Sequence, residues 1–290
     1  MKPKVLINYA ILCFIWGTTW IILKKSLIGG TPPFFGSGFR FFFGGVILWS
    51  VILYKRDFPS FKALPLQLYL QFGLLNLTIC YGLTYWATQF IYSSLSALIW
   101  AGFPLCVAVF SYFMLPDEVV TKKKIISLFL GTIGALFILR EGLNFKGDQV
   151  VIGIFMVVIA VIIAGYPNVY LKRYSNAVTS LHLNAVSQLM AGITLLIISF
   201  IFESDQKMVW DNFNIFALAY LTIFGSLIAW YIYFWLFPHI SMSQISYIAF
   251  FPPVMASILG WVLLDEKLSI LAIFGGGLVI FGALLVNLNE

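Results

Sequence analysis

The chain has 290 residues, of which 61% are hydrophobic and only 10% charged, with a mean hydropathy of +0.99. Soluble domains run near a quarter charged and cannot hide this much apolar surface, so lipid is the solvent over most of the chain; soluble enzymes and nucleic-acid-binding modules are excluded as the main reading. The net charge of +6 sits in short segments between apolar runs, where it reports topology and offers no phosphate-binding face.

Apolar stretches of about 17 to 24 residues recur along the chain, each long enough to cross a ~30 Å hydrocarbon core as a helix. Ten are predicted: 5–23, 33–54, 67–90, 95–115, 124–140, 150–171, 181–202, 213–236, 243–264 and 269–287. Charge or helix-stopping residues mark the breaks, as at Gly29, Gly30, Pro32 and Pro33, at Lys55 to Pro59, at Asp117 with Lys122 to Lys124, and at Asp265 to Lys267. Between the third and fourth spans only Tyr92, Ser93 and Ser94 intervene, and residues 67–115 are too long for one crossing, so a tight turn is required there. The first span follows Lys2 and Lys4 as a signal peptide would, but no small-residue cleavage site follows it and nine further spans do, so it reads as a crossing. Cys13, Cys80 and Cys106 are an odd set inside apolar runs and read as buried free thiols.

Lys and Arg set the expected orientation. With the N-terminus inside, the inner segments carry Lys2, Lys4, Lys55, Arg56, Lys62, Lys122 to Lys124, Lys172 and Arg173, against Lys24, Lys25, Arg140, Lys146, Lys207 and Lys267 outside. The bias puts both termini in the cytoplasm of a bacterial inner membrane protein.

Sliding the chain against itself by 148 positions pairs Gly17 with Gly165, Lys24 with Lys172, Thr31 with Thr179, Gly44 with Gly192 and Tyr85 with Tyr233. Further on, Ala101, Phe103, Pro104, Asp117, Glu118 and Gly134 meet Ala249, Phe251, Pro252, Asp265, Glu266 and Gly282 without a gap. Matches of Pro, Gly and Asp-Glu are not cheap in so apolar a chain. Halving ten spans leaves five per copy, 1–143 and 144–290, and an odd number forces the second copy to enter the membrane upside down. Two similar halves about an axis in the membrane plane supply two nearly equivalent states, each open to one side, as alternating access requires.

Trp16-Gly17-Thr18-Thr19-Trp20, Phe39-Arg40-Phe41, Pro104, Asp117-Glu118 with Gly131 and Gly134, and the second set Pro252, Asp265-Glu266 and Gly282 resemble the drug/metabolite transporter superfamily, in particular its ten-helix group of two EamA-type domains. The likeness covers essentially the whole chain. It implies an all-α membrane protein with two inverted five-helix repeats, a small-molecule cargo, no enzymatic activity, no cofactor, and a cavity lined by spans one, three, four, six, eight and nine. Cargo class does not follow from fold, because members carry amino acids, sugars, nucleotide sugars and other metabolites. One departure is an Asp before Glu118 and Glu266, where the family commonly has Gly.

All eleven acids fall in loops or at span ends. A proton-coupled pump usually needs an ionisable group at depth, so a carrier running down a cargo gradient is expected. Arg40 lies about seven residues inside span two, roughly 10 Å from its end at ~1.5 Å per residue. At a cost of at least ~2.5 kcal/mol in lipid, it should face the bundle or snorkel. Its readings are a carboxylate anchor or a bond to backbone carbonyls that locks helices; its repeat mate, Gln188, is uncharged. Trp16, Trp20, Tyr81, Tyr85, Trp100, Tyr166, Tyr233 and Tyr247 are candidates for an aromatic cage suited to a small amphipathic solute, with packing or interface belts as the alternative. Asn76 and Asn168 are the amides expected to orient a ligand. Pro104 and Pro252, mid-span at matching places, are expected to kink their helices and act as hinges. The two Asp-Glu pairs read as helix-start caps, and the glycines of spans five and ten as packing surfaces in a monomer or homodimer. His182, His239 and the cysteines make no metal set, and no nucleotide-binding or hydrolase motif is present.

The combined reading is a secondary carrier that exports or exchanges a small metabolite, an amino acid or related compound first, a sugar-like or drug-like solute second. An intramembrane enzyme lacks a catalytic dyad at depth, and a channel lacks a selectivity filter.

Overall fold

The computed structural model of the chain describes residues 2–115, 121–142, 148–264 and 270–287, and every element within them is helical. In chain order these are α1 (Pro3–Ile28), α2 (Pro33–Lys55), α3 (Ala63–Thr88), α4 (Ser93–Met114), α5 (Lys122–Gly142), α6 (Asp148–Arg173), α7 (Ser180–Phe202), α8 (Asn212–Leu236), α9 (242–264) and α10 (Ile270–Asn287). Eight of them are long and apolar enough to cross a membrane, and α5 contributes the shorter apolar stretch Ile125–Gly134. Large apolar side chains such as Phe14, Phe113 and Phe200 stand exposed around the bundle, as a lipid-facing surface requires.

The expected spans match these helices to within a few residues. The largest shift is in α1, which runs past Lys24 to Ile28 instead of stopping at 23. Lys24 is buried and its ammonium donates to the carbonyls of Thr88 and Gln89 at the end of α3, so its charge is absorbed inside the bundle and does not end the helix. Gly29, Gly30 and Pro32 then break the chain, and Pro33 starts α2 at a position where no backbone N–H is needed.

Packing follows a two-fold pattern. Helix α1 lies against α9 as α6 lies against α4, and against α8 as α6 lies against α3, while α2 pairs with α7 and α5 with α10 across the axis. The α2–α7 pair is antiparallel: Gly38 meets Leu196, and Gly45, further along α2, meets Leu189, further back along α7. A Cβ on Gly45 would stand 2.6 Å from the Leu189 amide nitrogen, and one on Gly192 would collide with the backbone of Phe42, so glycine is what lets these backbones touch. The pair is also bolted at both ends. The buried carboxylate of Glu203, at the end of α7, accepts from the Phe34 and Phe35 amides at 2.8 and 2.9 Å in the first turn of α2, and His182 meets the carbonyl of Asp57 at 2.8 Å just beyond its last turn. In the α5–α10 pair, Ser127 donates to the Gly282 carbonyl, and Gly131 of α5 packs on the Phe250 ring of α9, so these glycines serve contacts within the chain. The Asp-Glu pairs fall outside the described residues. Cys13 and Cys80 are buried as expected; Cys106 is only half-buried.

Four helices depart from regular α geometry, at matching places in the two halves. Helices α3 and α8 contain π-helical turns over Gln71–Cys80 and Ile223–Ile228. Helix α4 opens into a turn at Ala101 and Gly102, and α9 passes through a 3-10 stretch, Tyr247–Phe250. Pro104 and Pro252 follow these openings, in the first turn of the helical pieces that begin at Phe103 and Phe251. The expected mid-helix kink is therefore an interruption placed before each proline, where the missing N–H leaves no bond broken.

Candidate substrate cavity

Near the axis the bundle encloses about 870 Å³ of atom-free space, part of it open to the exterior. Helix α1 supplies Trp16, Thr19, Trp20 and Leu23, the one-face spacing of an α-helix. From α3 come Asn76, Tyr81, Thr84 and Tyr85, from α8 Trp230 and Tyr233, from α6 Asn168, and from α2 Arg40. The interrupted parts of α4 and α9 close the wall with Trp100, Phe103, Ile245, Ser246, Ile248, Ala249 and Pro252.

Arg40 is 3% exposed and, among the described residues, is the one charged side chain on the wall. Its Nε donates to Ser226 Oγ and its Nη1 to the Tyr85 hydroxyl, both at 2.7 Å. The guanidinium carbon lies 5.1 Å from the Phe41 ring centroid and 5.4 Å from that of Tyr81. Gly225 gives it room, since a Cβ there would stand 2.8 Å from Nη2. Among the described residues no carboxylate pairs with it, so the charge is held by neutral oxygens and aromatic faces.

From Arg40 a chain of rings crosses the cavity. Tyr81 lies 6.0 Å from Trp230, Trp230 lies 5.4 Å from Trp16, and Trp16 lies 5.0 Å from Tyr233. At the far end the Tyr233 hydroxyl donates to Asn168 Oδ1 at 2.6 Å, and Asn168 Nδ2 donates to Asn76 Oδ1 at 3.1 Å and to the Ala164 carbonyl at 2.8 Å. Asn168 thus ties α6 to α8 through its carbonyl and to α3 through one donor hydrogen, and turns the other back onto its own helix. The Asn76 amide nitrogen and the buried Trp16 Nε1 make no hydrogen bond to another described residue. Trp100 Nε1 donates to Thr84 Oγ1 at 3.2 Å.

The wall contains Trp16, Trp20, Arg40, Asn76, Tyr81, Tyr85, Trp100, Asn168, Tyr233 and Pro252 from the residues expected at a site. Tyr166, Tyr247 and Pro104 lie off it. Tyr166 packs on Phe110 and Tyr170, and Tyr247 stacks on Phe250 at 5.5 Å, turned away by the 3-10 stretch. Sequence reasoning missed Trp230, Thr19, Thr84 and the arginine's partner Ser226. Trp230 was findable, three residues before Tyr233 on the same helix face. Ser226 had no signal, because its role depends on a π turn. Among the described residues no cluster of three or more His, Cys, Asp or Glu is placed to hold a metal.

The model of the EamA-like transporter family matches twice, over residues 4–140 and 151–288. The uncharacterized transporter YoaV of Bacillus subtilis is 30% identical over 96% of this chain and 95% of its own length. The S-adenosylmethionine/S-adenosylhomocysteine transporter of Chlamydia muridarum is 28% identical over 100% and 93% respectively. A solved crystal structure superposes with a TM-score of 0.77 over 99% of this chain and 98% of its own at 19% identity, a likeness of fold. With two family domains across a helical bundle built for lipid, the chain is a multi-pass membrane protein and belongs to the EamA-like transporter family of the drug/metabolite transporter superfamily.

Proposed function

We propose that the protein is a secondary carrier of the bacterial inner membrane, with ten crossings and both termini cytoplasmic, that exports or exchanges a small carboxylate-bearing metabolite of the amino acid class by alternating access around the aromatic cavity. One observation carries the reading: a buried guanidinium, unpaired with any acid among the described residues, on the wall of an otherwise aromatic and apolar cavity. A cation facing this wall meets like charge at Arg40, whereas a carboxylate gains a charge-assisted bond and leaves its side chain to the tryptophan and tyrosine faces. Asn76 Nδ2 and Trp16 Nε1 add donors for the same acceptor-rich ligand. An S-adenosyl amino acid, the cargo named for the Chlamydia relative, fits the same chemistry with a carboxylate for Arg40 and a sulfonium for the rings. The interruptions before Pro104 and Pro252 are the joints about which α4 and α9 bend during turnover.

The test is uptake into liposomes of purified protein, with labelled amino acids, S-adenosylmethionine and a neutral sugar, with and without a pH step. Carboxylate-bearing probes are expected to enter down their own gradient and the sugar to stay out. Exclusion of every carboxylate probe, or entry of the sugar alone, overturns the assignment, and concentrative uptake on a pH step alone overturns the uncoupled mechanism.

A further inference from the structure

The π turns of α3 and α8 are held open by the same device. Thr78 Oγ1 donates to the Gly73 carbonyl at 2.7 Å, and Ser226 Oγ donates to the Leu221 carbonyl at 3.0 Å. Thr78 and Ser226 are mates under the 148-residue offset, as are Gly73 and Leu221, and both hydroxyls reach five residues back from buried positions. A π turn holds one residue more than an α turn and recurs at functional sites. The two devices differ in what else touches them. Ser226 Oγ also accepts from Arg40 Nε at 2.7 Å, and the Ser226 carbonyl accepts from Gln188 Nε2 at 3.2 Å. Arg40 and Gln188 are themselves repeat mates, so both converge on one half. Thr78 has no charged partner among the described residues.

We propose that Ser226 is a positioning residue of the carrier: it aims the Arg40 guanidinium at the cavity and ties the state of that guanidinium to the π turns of α8. The inference rests on Arg40 being the carboxylate anchor. Ser226 has one hydrogen, given to Leu221, and lone pairs, one of which receives Arg40 Nε; that arrangement leaves the Nη2 edge for a ligand. A carboxylate that draws the guanidinium toward itself weakens the bond to Ser226 and with it the support of the π turns. Relaxation of a π turn to α removes one residue from the turn and rotates the helix beyond it by roughly 100°. Trp230 and Tyr233 lie in that rotated part and on the cavity wall, so cargo at Arg40 acts on the opposite side of its own site.

Hydrogen exchange on the full chain in lipid nanodiscs, with no ligand, tests the tie without reference to cargo. Arg40→Gln and Ser226→Ala are each expected to speed exchange of amides 222–230 about tenfold while 73–80 keep their wild-type rate, and Ser226→Thr, which keeps the hydroxyl, to behave as wild type. Wild-type exchange at 222–230 in Arg40→Gln overturns the proposal. In liposomes with labelled amino acids and S-adenosylmethionine as probes, Ser226→Ala is expected to raise KM about tenfold, with the maximal rate changed less than about threefold. Thr78→Val is expected to leave KM unchanged. A fall in rate at constant KM for Ser226→Ala, or an equal KM rise in Thr78→Val, overturns it. If wild-type protein carries none of the probes, the functional assignment fails while the exchange experiment still decides the tie.

Discussion

The two halves share their backbone devices and diverge in their chemistry. Lys24 clamps carbonyls at the end of α3, and its mate Lys172 clamps the chain just past α8, donating to Phe237 and Ile240 at 2.6 and 2.7 Å. The hydroxyl-held π turns, the interruptions before Pro104 and Pro252, and the glycine contacts of α2 and α7 also recur. At the cavity the correspondence ends. Arg40 is matched by Gln188 and Trp20 by Asn168, while the mated Tyr85 and Tyr233 hold Arg40 and Asn168 respectively. A two-fold frame lets two access states have nearly equal energy, but the proposed cargo, with a charged end and an apolar end, has no two-fold axis. For such a cargo the binding surface has to break the symmetry of the frame.

That contrast sorts the expected effects of substitution. The largest belongs to the shared frame: Gly192→Leu forces a side chain into the backbone of Phe42, beyond the ~1–3 kcal/mol of ordinary overpacking, and is expected to abolish the monodisperse peak in size-exclusion chromatography. Near-normal yield and melting would show that α2 and α7 are free to separate. Next comes the asymmetric centre. Arg40→Gln is expected to lower uptake efficiency for a carboxylate probe by about 10- to 100-fold, the ~1.5–3 kcal/mol of a hydrogen bond to a charged group, with the matching amide affected far less. Equal loss for acid and amide makes Arg40 a structural residue.

The mated tyrosines sharpen the comparison further. Tyr85→Phe removes an acceptor from Arg40 and is expected to raise KM about fivefold, near 1 kcal/mol, with little change in melting temperature. Tyr233→Phe leaves Asn168 Oδ1 without its donor and is expected to destabilise by about 1–3 kcal/mol, read as a lowered melting temperature. Identical behaviour of the two would remove the distinction between a ligand side and a structural side. The smallest effects are those of the prolines. Pro104→Ala, off the wall, is expected to slow turnover about threefold at unchanged KM, and Pro252→Ala, on it, to change both, since local helix repair costs or gains only about 1 kcal/mol.

Much of the fold was legible before any coordinates. Apolar run length located the helices because lipid imposes one length on every crossing, and the 148-residue offset exposed the duplication because Pro, Gly and Asp-Glu are rare in such a chain. The lining of the candidate cavity was legible in outline: Trp16, Trp20, Tyr81 and Tyr85 repeat at helical spacing, and an arginine within a span must face protein. What misled was local. Lys24 looked like a helix end and is a buried clamp; Pro104 and Pro252 looked like mid-helix kinks and open new helical pieces. Asn168, expected to orient a ligand, lies on the wall with its side chain bonded to Tyr233, Asn76 and Ala164, a set of partners that sequence does not show.

Composition and periodicity settled that this chain lives in a bilayer as paired helical bundles, because burial in hydrocarbon constrains every residue along a crossing and leaves a mark on all of them. Which side chains reach the central space, and what each is bonded to, emerged from packing between helices far apart in the chain. Ser226 meets Arg40 across such a gap only because a π turn shifts its register, and a register shift of one residue leaves no trace in hydropathy.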